Sequence, residues 1–367
     1  SPVRAELSEW NRAISTCARN RQWVLSLQIF AELQYTQIRR DVITLTSAIN
    51  ACDKGKSWQL ALQSFFRWKH QILPNSITCT TLMGALNTKA EWQQCLRLFH
   101  SCIGESLQAD VILFSAAINA CAEGSRWQEA FSILDLLKRW SFVPDSIVLN
   151  AAVSACEKAA QWQWALHVLD SFPNSSLLPS VVSFAATASA CEKAAQWQRA
   201  LQLLKDAWSS QIIVDVILYN AAISACGRCQ QWLHALKLLA EMETIEVLPS
   251  SITMNACISA SADCERALDL LASFGSKSLE ADVISYNSAI ATCEKVAQWP
   301  TAMILLGLLV QQTLQATVVT WSSACAACAS SGSWQHALLT VQNPNEINEL
   351  TFDAAIRSCA VAQPFHK

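Results

Sequence analysis

Charge is sparse in this chain. Asp, Glu, Lys and Arg make up 15% of its 367 residues, and the formal net charge is −3. Beside 52% hydrophobic residues, that excludes disorder of the highly charged, weakly apolar kind. The slightly acidic balance also runs against the basic character usual in small nucleic-acid-binding domains. Glycine (8) and proline (9) are scarce, which argues against a many-turned β architecture and for helices joined by short connections. Long apolar runs are missing as well. The longest, Ala302 to Val310, is nine residues, about half of what a bilayer-spanning helix requires. The sequence opens SPVRAEL without a methionine, so it reads as a segment of a longer precursor, with no signal or transit peptide visible in it.

What is abundant is tryptophan (15) and cysteine (16), and both keep time. Trp23, Trp58, Trp92, Trp127, Trp162, Trp197 and Trp232 follow one another at gaps of 35, 34, 35, 35, 35 and 35. Trp299 comes 67 later and Trp334 35 after that. The gap of 67 is two periods less three residues, so one repeat, reading SASADCERAL over 259–268, has lost its tryptophan and three positions around it. Cys17, Cys52, Cys121, Cys156, Cys191, Cys226, Cys293, Cys328 and Cys359 keep the same beat, and SACEKAAQW occurs at both 154–162 and 189–197. An internal repeat of about 35 residues follows.

Within a unit, a first segment such as VILYNAAISACGRC (216–229) and a second such as QWLHALKLLAEMETI (231–245) carry apolar residues at helical spacing. Two or three small or polar residues separate them, and a Pro-Asp, Pro-Ser or Ala-Asp pair closes the unit, where proline fits a helix end. The pattern predicts an all-α chain of helix–turn–helix units, each too small to bury both faces alone, so that neighbours stack into a solenoid. One cysteine per repeat at one helical position reads as a small core residue. The pairs Cys226/Cys229 and Cys325/Cys328 lack a second pair or a histidine motif at zinc-ribbon spacing, so no metal site is expected. The tryptophans open the second helix and are expected to wedge between hairpins, with base stacking the competing use.

The tetratricopeptide signature W-x₂-L-G-x₂-Y is absent, and HEAT-like repeats are longer and less regular. The pattern D-V-I-x-Y-N-A-A-I-S-A-C-x-K…W-Q-x-A-L…P-D, best seen at 216–250 and 283–317, resembles the pentatricopeptide repeat family of plain 35-residue type. The resemblance covers residues 7 to about 363. It implies a right-handed superhelical solenoid forming one array over 1–367, with units 7–41, 42–75, 76–110, 111–145, 146–180, 181–215, 216–250, 251–282, 283–317 and 318–348, then a partial unit 349–363. Unit 318–348 is four residues short in its second helix.

The resemblance further implies single-stranded RNA as the partner, read by three positions of each unit. Position 2 would sandwich each base between adjacent repeats. It is Ile43, Ile77, Ile112, Ile147, Val182, Ile217, Ile252, Ile284 and Val319, with Ser8 departing in the first unit. These residues read equally well as interhelical core. Position 5 and the last position would form the base-reading pair: Asn11/Asp41, Thr46/Asn75, Thr80/Asp110, Ser115/Asp145, Asn150/Ser180, Ala185/Asp215, Asn220/Ser250, Asn255/Asp282, Asn287/Thr317 and Ser322/Asn348. Most are small and polar among hydrophobic neighbours. Unpartnered burial would cost about 1–3 kcal/mol each, so exposure to something polar is expected. Helix capping is the rival account of the last position, but it does not explain Asn or Thr a turn inside the first helix.

Uracil and guanine present a central N–H that a carboxylate accepts; cytosine and adenine present a lone pair to which Asn or Ser donates. With the family preference for pyrimidines opposite Asn and purines opposite Thr or Ser, the implied ligand is U-A-G-G-C-N-C-U-Y-A. Position 13 would meet phosphate: Arg19, Lys54, Lys158, Lys193, Arg228 and Lys295, with Thr88, Glu123 and Ser330 as exceptions. Such a stripe answers the acidic total, although solvated helix-end cations remain its alternative. No GxSxG, HExxH, P-loop or deaminase H-x-E motif occurs, so no catalytic residue, no enzyme activity and no cofactor is expected within the segment. Further partners are proteins; duplex DNA, a membrane and a small-molecule substrate are not expected. The resemblance implies RNA processing, stability or translation in an organelle, chloroplast ahead of mitochondrion. The alternative is a scaffold taking a peptide or protein in the groove.

Overall fold

A computed structural model describes residues 2–340, apart from 21, 34–40, 70, 73, 90, 105–108, 175–176, 213, 278 and 313, together with 353 and 356. Among the described residues all regular structure is helical, in twenty helices that alternate first and second members of hairpins. The chain divides into two compact units, residues 1–190 and 191–367.

The first unit contains α1 (Pro2–Arg19), α2 (Trp23–Glu32), α3 (Val42–Lys54), α4 (Trp58–Trp68), α5 (Ser76–Asn87), α6 (Trp92–Gly104), α7 (Val111–Glu123), α8 (Trp127–Arg139), α9 (Ser146–Lys158) and α10 (Trp162–Asn174). Helix α11 (Val181–Lys193) holds the boundary. The second contains α12 (Trp197–Ser209), α13 (Val216–Arg228), α14 (Trp232–Thr244), α15 (Ser251–Ala260), α16 (Cys264–Ser276), α17 (Val283–Lys295), α18 (Trp299–Gln311), α19 (Val318–Ser330) and α20 (Trp334–Thr340). In each unit the first helices stack in sequence: α1 on α3, α5, α7 and α9 in one, α13 on α15, α17 and α19 in the other. Within each unit the second helices α2, α4, α6, α8, α14, α16 and α18 pack on their own partners and on the first helix of the next hairpin.

The repeat 216–250 shows why the sequence folds this way. Asp215 caps α13, its Oδ1 accepting the Leu218 N–H at 3.0 Å. Leu218, Tyr219, Ala221, Ala222, Ile223, Ala225 and Cys226 make one buried face, the stripe that a 3.6-residue period produces. The helix stops because Gln230 turns to a left-handed conformation at φ 56°. Its N–H bonds Gly227 O at 3.1 Å, and the Gln231 N–H bonds the carbonyl of Cys226 at 2.9 Å, a Schellman closure. The same turn recurs at Lys56, Ser125, Ala160, Ala195 and Ala297, and Gly332 occupies it in the last complete hairpin. In these turns the carbonyl of the periodic cysteine (Cys52, Cys121, Cys156, Cys191, Cys293, Cys328) takes the closing bond at 2.8–3.0 Å. A second left-handed residue, Glu246, ends α14 before Pro249.

The cysteine ladder is core. Burial pushes the Cys52, Cys191, Cys226 and Cys328 thiols up to about 11, and those of Cys121 and Cys156 to about 12, so they stay protonated at neutral pH. The tryptophans lie half-buried between hairpins. Trp92 packs so flat on the end of α7 that a Cβ on Gly124 would stand 2.6 Å from its ring, and Trp23 meets Gly55 the same way. On their other side the rings meet the next second helix: Arg126 over Trp92 at 4.6 Å, Trp164 against Trp127 at 5.4 Å, His234 against Trp197 at 4.9 Å.

The three-residue deletion falls in the first helix of its repeat rather than around the missing tryptophan. Helix α15 has 10 residues against 13 in α13 and α17, whereas α16 keeps 13. Cys264 stands in the tryptophan's place, and Arg266 covers Trp232 of the preceding hairpin at 3.8 Å. In the last complete hairpin α20 ends at Thr340; Asn348 and the partial unit 349–363, expected to carry a reader and a half repeat, lie outside the described residues, 353 and 356 apart.

Candidate functional site

Positions 2, 5 and 9 of a first helix stand three and four residues apart, so they share one face. Opposite the buried stripe, that face is open. Ile43, Ile77, Ile112, Ile147, Val182, Ile217, Ile252, Ile284 and Val319 are all exposed, between 59% and 66%. The uniformity removes the interhelical-core reading of position 2, because a core residue does not stay two-thirds in water. Ser8, the departure in the first unit, is also exposed.

In the first unit of the chain these residues line a groove of about 750 Å³ running over α5, α7 and α9. Thr80, Ser115 and Asn150 (position 5) and Ile112 and Ile147 (position 2) border it, joined by Asn119 and Ser154 at position 9. Sequence reasoning passed over position 9. The signal was there: Ser15, Asn50, Gly84, Asn119, Ser154, Ser189, Ser224 and Ser259 are small or polar one turn beyond position 5.

The last-position residues cap the following first helix. Asp41, Asn75, Asp110, Asp145, Asp215 and Asp282 accept a backbone N–H three residues on at 2.8–3.0 Å through one oxygen, Oδ1. Ser180 and Ser250 do so through Oγ at 3.3 Å. Thr317 bonds the Thr320 hydroxyl at 3.1 Å. Burial raises the Asp282 carboxyl, but bonds from the N–H and hydroxyl of Ser285 and from Asn255 outweigh it and hold the group below its ordinary value, hence ionised.

Position 5 is half-buried rather than freely exposed, and most of its polar atoms find partners inside the protein. Thr46, Thr80 and Ser322 hydroxyls donate to carbonyls in their own helices at 2.7–3.0 Å. Asn150, Asn220 and Asn287 accept hydroxyl donors from the next repeat at 2.5–2.7 Å. The Oδ1 atoms of Asn11 and Asn255 are buried without a hydrogen-bond partner. Ala185, at position 5 of its repeat, is 8% exposed.

The position 13 cations Arg19, Lys54, Lys158, Lys193, Arg228 and Lys295 are exposed at first-helix ends, where the macrodipole favours them. They do not form a bare basic stripe. Lys158 bridges Glu123 at 2.9 Å and Arg228 lies 3.7 Å from Glu192, while Lys295 reaches the carbonyl of Ser259 at 3.3 Å. Glu123 is itself a position 13 residue, and the position 12 acids Asp53, Glu157, Glu192 and Glu294, missed from sequence, stand beside the cations. Burial raises the carboxyls of Asp53 and Glu294, partly countered by the adjacent Lys54 and Lys295.

Residues 112–142 match the family described as PPR repeat, and residues 202–263 match the pentatricopeptide repeat domain. No curated protein sequence matches. Among solved structures, the pentatricopeptide repeat protein PPR10 from maize aligns over 96% of this chain and 51% of its own, at 17% identity and a TM-score of 0.63. This chain thus spans about half the length of the maize protein. PPR10 in complex with an 18-nt psaJ RNA element aligns at 16% identity and a TM-score of 0.48 over 97% and 51% of the two chains. The PPR domain of Arabidopsis thaliana protein-only RNase P 1 in complex with tRNA aligns at 11% and 0.42 over 47% and 91%.

Proposed function

This chain is a pentatricopeptide repeat protein, and from that premise we propose that it binds single-stranded RNA along the open face of its first helices, one base per repeat. The observation that carries this is the ladder of nine β-branched side chains left 59–66% exposed at one register. Apolar side chains held in water beside polar ones suit a ligand that is flat and apolar on its faces and hydrogen-bonding at its edges, as an unstacked base is. A base between two ladder residues meets position 5 and the last position at its edge. The caps use only Oδ1 of Asp41, Asp145 and Asp215, so the second oxygen serves to accept the N–H of uracil or guanine.

The ion pairs at position 13 temper the affinity. Phosphate competes with Glu123 for Lys158 and with Glu192 for Arg228, so non-specific binding is weak and base recognition has to supply the rest. The same pairs are what favours the second reading, a peptide or protein ligand, since such a groove has less use for bare cations. The chain acts by occupying or exposing a defined RNA site, with no catalytic step of its own. On family resemblance alone, the setting is an organelle, chloroplast ahead of mitochondrion.

Binding of U-A-G-G-C-N-C-U-Y-A against its scrambled and complementary RNAs tests this. A preference of tenfold or more at moderate salt is expected, with log affinity falling about 0.7 per neutralised phosphate per log unit of salt. Thr80→Asn creates an Asn/Asp pair and should move the third base from G toward U. Equal binding of all three RNAs overturns the reading.

A further inference from the structure

Six of the first helices carry a hydroxyl at position 3: Thr44, Thr78, Ser183, Thr253, Ser285 and Thr320, each 0–1% exposed. None can touch a ligand in the groove. Each bonds the last residue of the preceding repeat, and Thr78, Ser183, Thr253 and Thr320 also reach that repeat's position 5 residue. A hydroxyl has one proton to give, so where the proton goes determines what the position 5 side chain has left to offer.

Two arrangements occur. Where the last residue is Asp, the carboxylate is acceptor-only and takes the proton: Thr44 Oγ1 donates to Asp41 at 2.6 Å, and Ser285 Oγ to Asp282 at 2.8 Å. The amide oxygens of Asn11 and Asn255 in those same repeats are the ones buried without a partner, and the Asn255 NH₂ is drawn toward Asp282 at 3.5 Å. Where the last residue is Ser or Thr, the proton turns back instead. Ser183 donates to Asn150 at 2.7 Å, Thr253 to Asn220 at 2.5 Å and Thr320 to Asn287 at 2.6 Å. These hydroxyls accept in exchange the backbone N–H of Ser180, Ser250 and Thr317 at 3.0–3.1 Å. The amide oxygen is then consumed inside the protein, and the NH₂ keeps at least one proton to give, Asn220 sharing the other with Ser250 Oγ at 3.5 Å.

We propose that Ser183, Thr253 and Thr320 are positioning residues that fix the amides of Asn150, Asn220 and Asn287 with NH₂ toward the groove, so that these three repeats donate to the lone-pair edge of cytosine, whereas the hydroxyls next to Asn11 and Asn255 give their protons to Asp41 and Asp282 and leave those amides unfixed. The proposal rests on the RNA reading above and deepens it. It assigns cytosine, rather than either pyrimidine, to the ninth repeat. It also makes base choice depend on a buried residue of the following repeat, 33 positions from the Asn it turns in each case. Thr78 gives its proton to the cap, Asn75 Oδ1 at 2.7 Å, as in the aspartate arrangement, with the Thr46 hydroxyl 2.9 Å away.

The test uses the full chain with Thr253→Val, which keeps shape and loses the proton, and Thr253→Ser, which restores it. Valine at this position is already tolerated at Val148, fully buried in α9. Affinities are measured for four RNAs differing only in the base opposite the seventh repeat. Wild type and Thr253→Ser should prefer cytosine to uracil there; Thr253→Val should lose that preference about tenfold, the worth of one buried hydrogen bond. Ser285→Ala should leave the uracil preference of the eighth repeat in place. A cytosine preference surviving in Thr253→Val, or an equal loss for all four bases, overturns the positioning role alone. A wild type that distinguishes no base at the seventh repeat overturns the RNA reading and this proposal together.

Discussion

Ile112 and Phe114 stand two residues apart on α7 and meet opposite surroundings. Phe114 is fully buried, its ring edge-on to Phe99 at 5.4 Å and to Trp140 at 5.8 Å. Ile112 is 66% exposed on the groove. Both faces repeat with the same 35-residue period and both are largely apolar, so periodicity and hydrophobicity do not separate them. What separates them is what lies across from each. The face of Phe114 is matched by the second helix and the neighbouring hairpin, and it holds the fold; the face of Ile112 is covered by none of the described residues.

The largest effect expected is on the buried face. Phe114→Ala should lower unfolding stability by about 3–5 kcal/mol in urea titrations, from lost transfer energy plus the cavity left among Phe99, Trp140 and Phe142. A loss under about 1 kcal/mol would mean that this face is not what holds the repeats. The converse change, Ile112→Asp, should leave the urea midpoint nearly unmoved, because the side chain is in water. It should weaken RNA binding by about 1.5–3 kcal/mol, the worth of burying one aliphatic side chain against a base. A stability loss comparable to that of Phe114→Ala would erase the distinction between the faces. The smallest effect belongs to the turn that joins them to the second helices. Ala160 adopts φ 55°, so Ala160→Gly should raise stability by about 0.5–1 kcal/mol with RNA affinity unchanged; no gain would show that the turn is not strained.

Much of this was legible in the sequence. The tryptophan and cysteine beats gave the hairpin boundaries, and Trp58, Trp92 and Trp127 do open second helices. Closing Asp and Ser residues were read both as caps and as readers, and they do cap. The position of the deletion was not legible, because losing three residues from a first helix or from the turn after it leaves the same gap between tryptophans. Nor was the pairing of Lys158 with Glu123 and Arg228 with Glu192, which join adjacent repeats. The polar atoms at position 5 were expected to face something polar outside the protein; Asn150, Asn220 and Asn287 instead spend their oxygens on hydroxyls of the next repeat.

By itself the sequence determined the helices, their order, the period and which residue types share a face, since each of these is a local property repeated at fixed spacing. The tertiary structure alone decided that position 2 is exposed while its neighbours are buried, and which polar atoms at position 5 are spent inside the protein. The physical reason is that burial and the direction of a hydrogen bond belong to the partner across the repeat junction. The sequence names Asn220 and Thr253 without saying that they meet, and only the stacking of α13 on α15 brings the proton of one to the oxygen of the other.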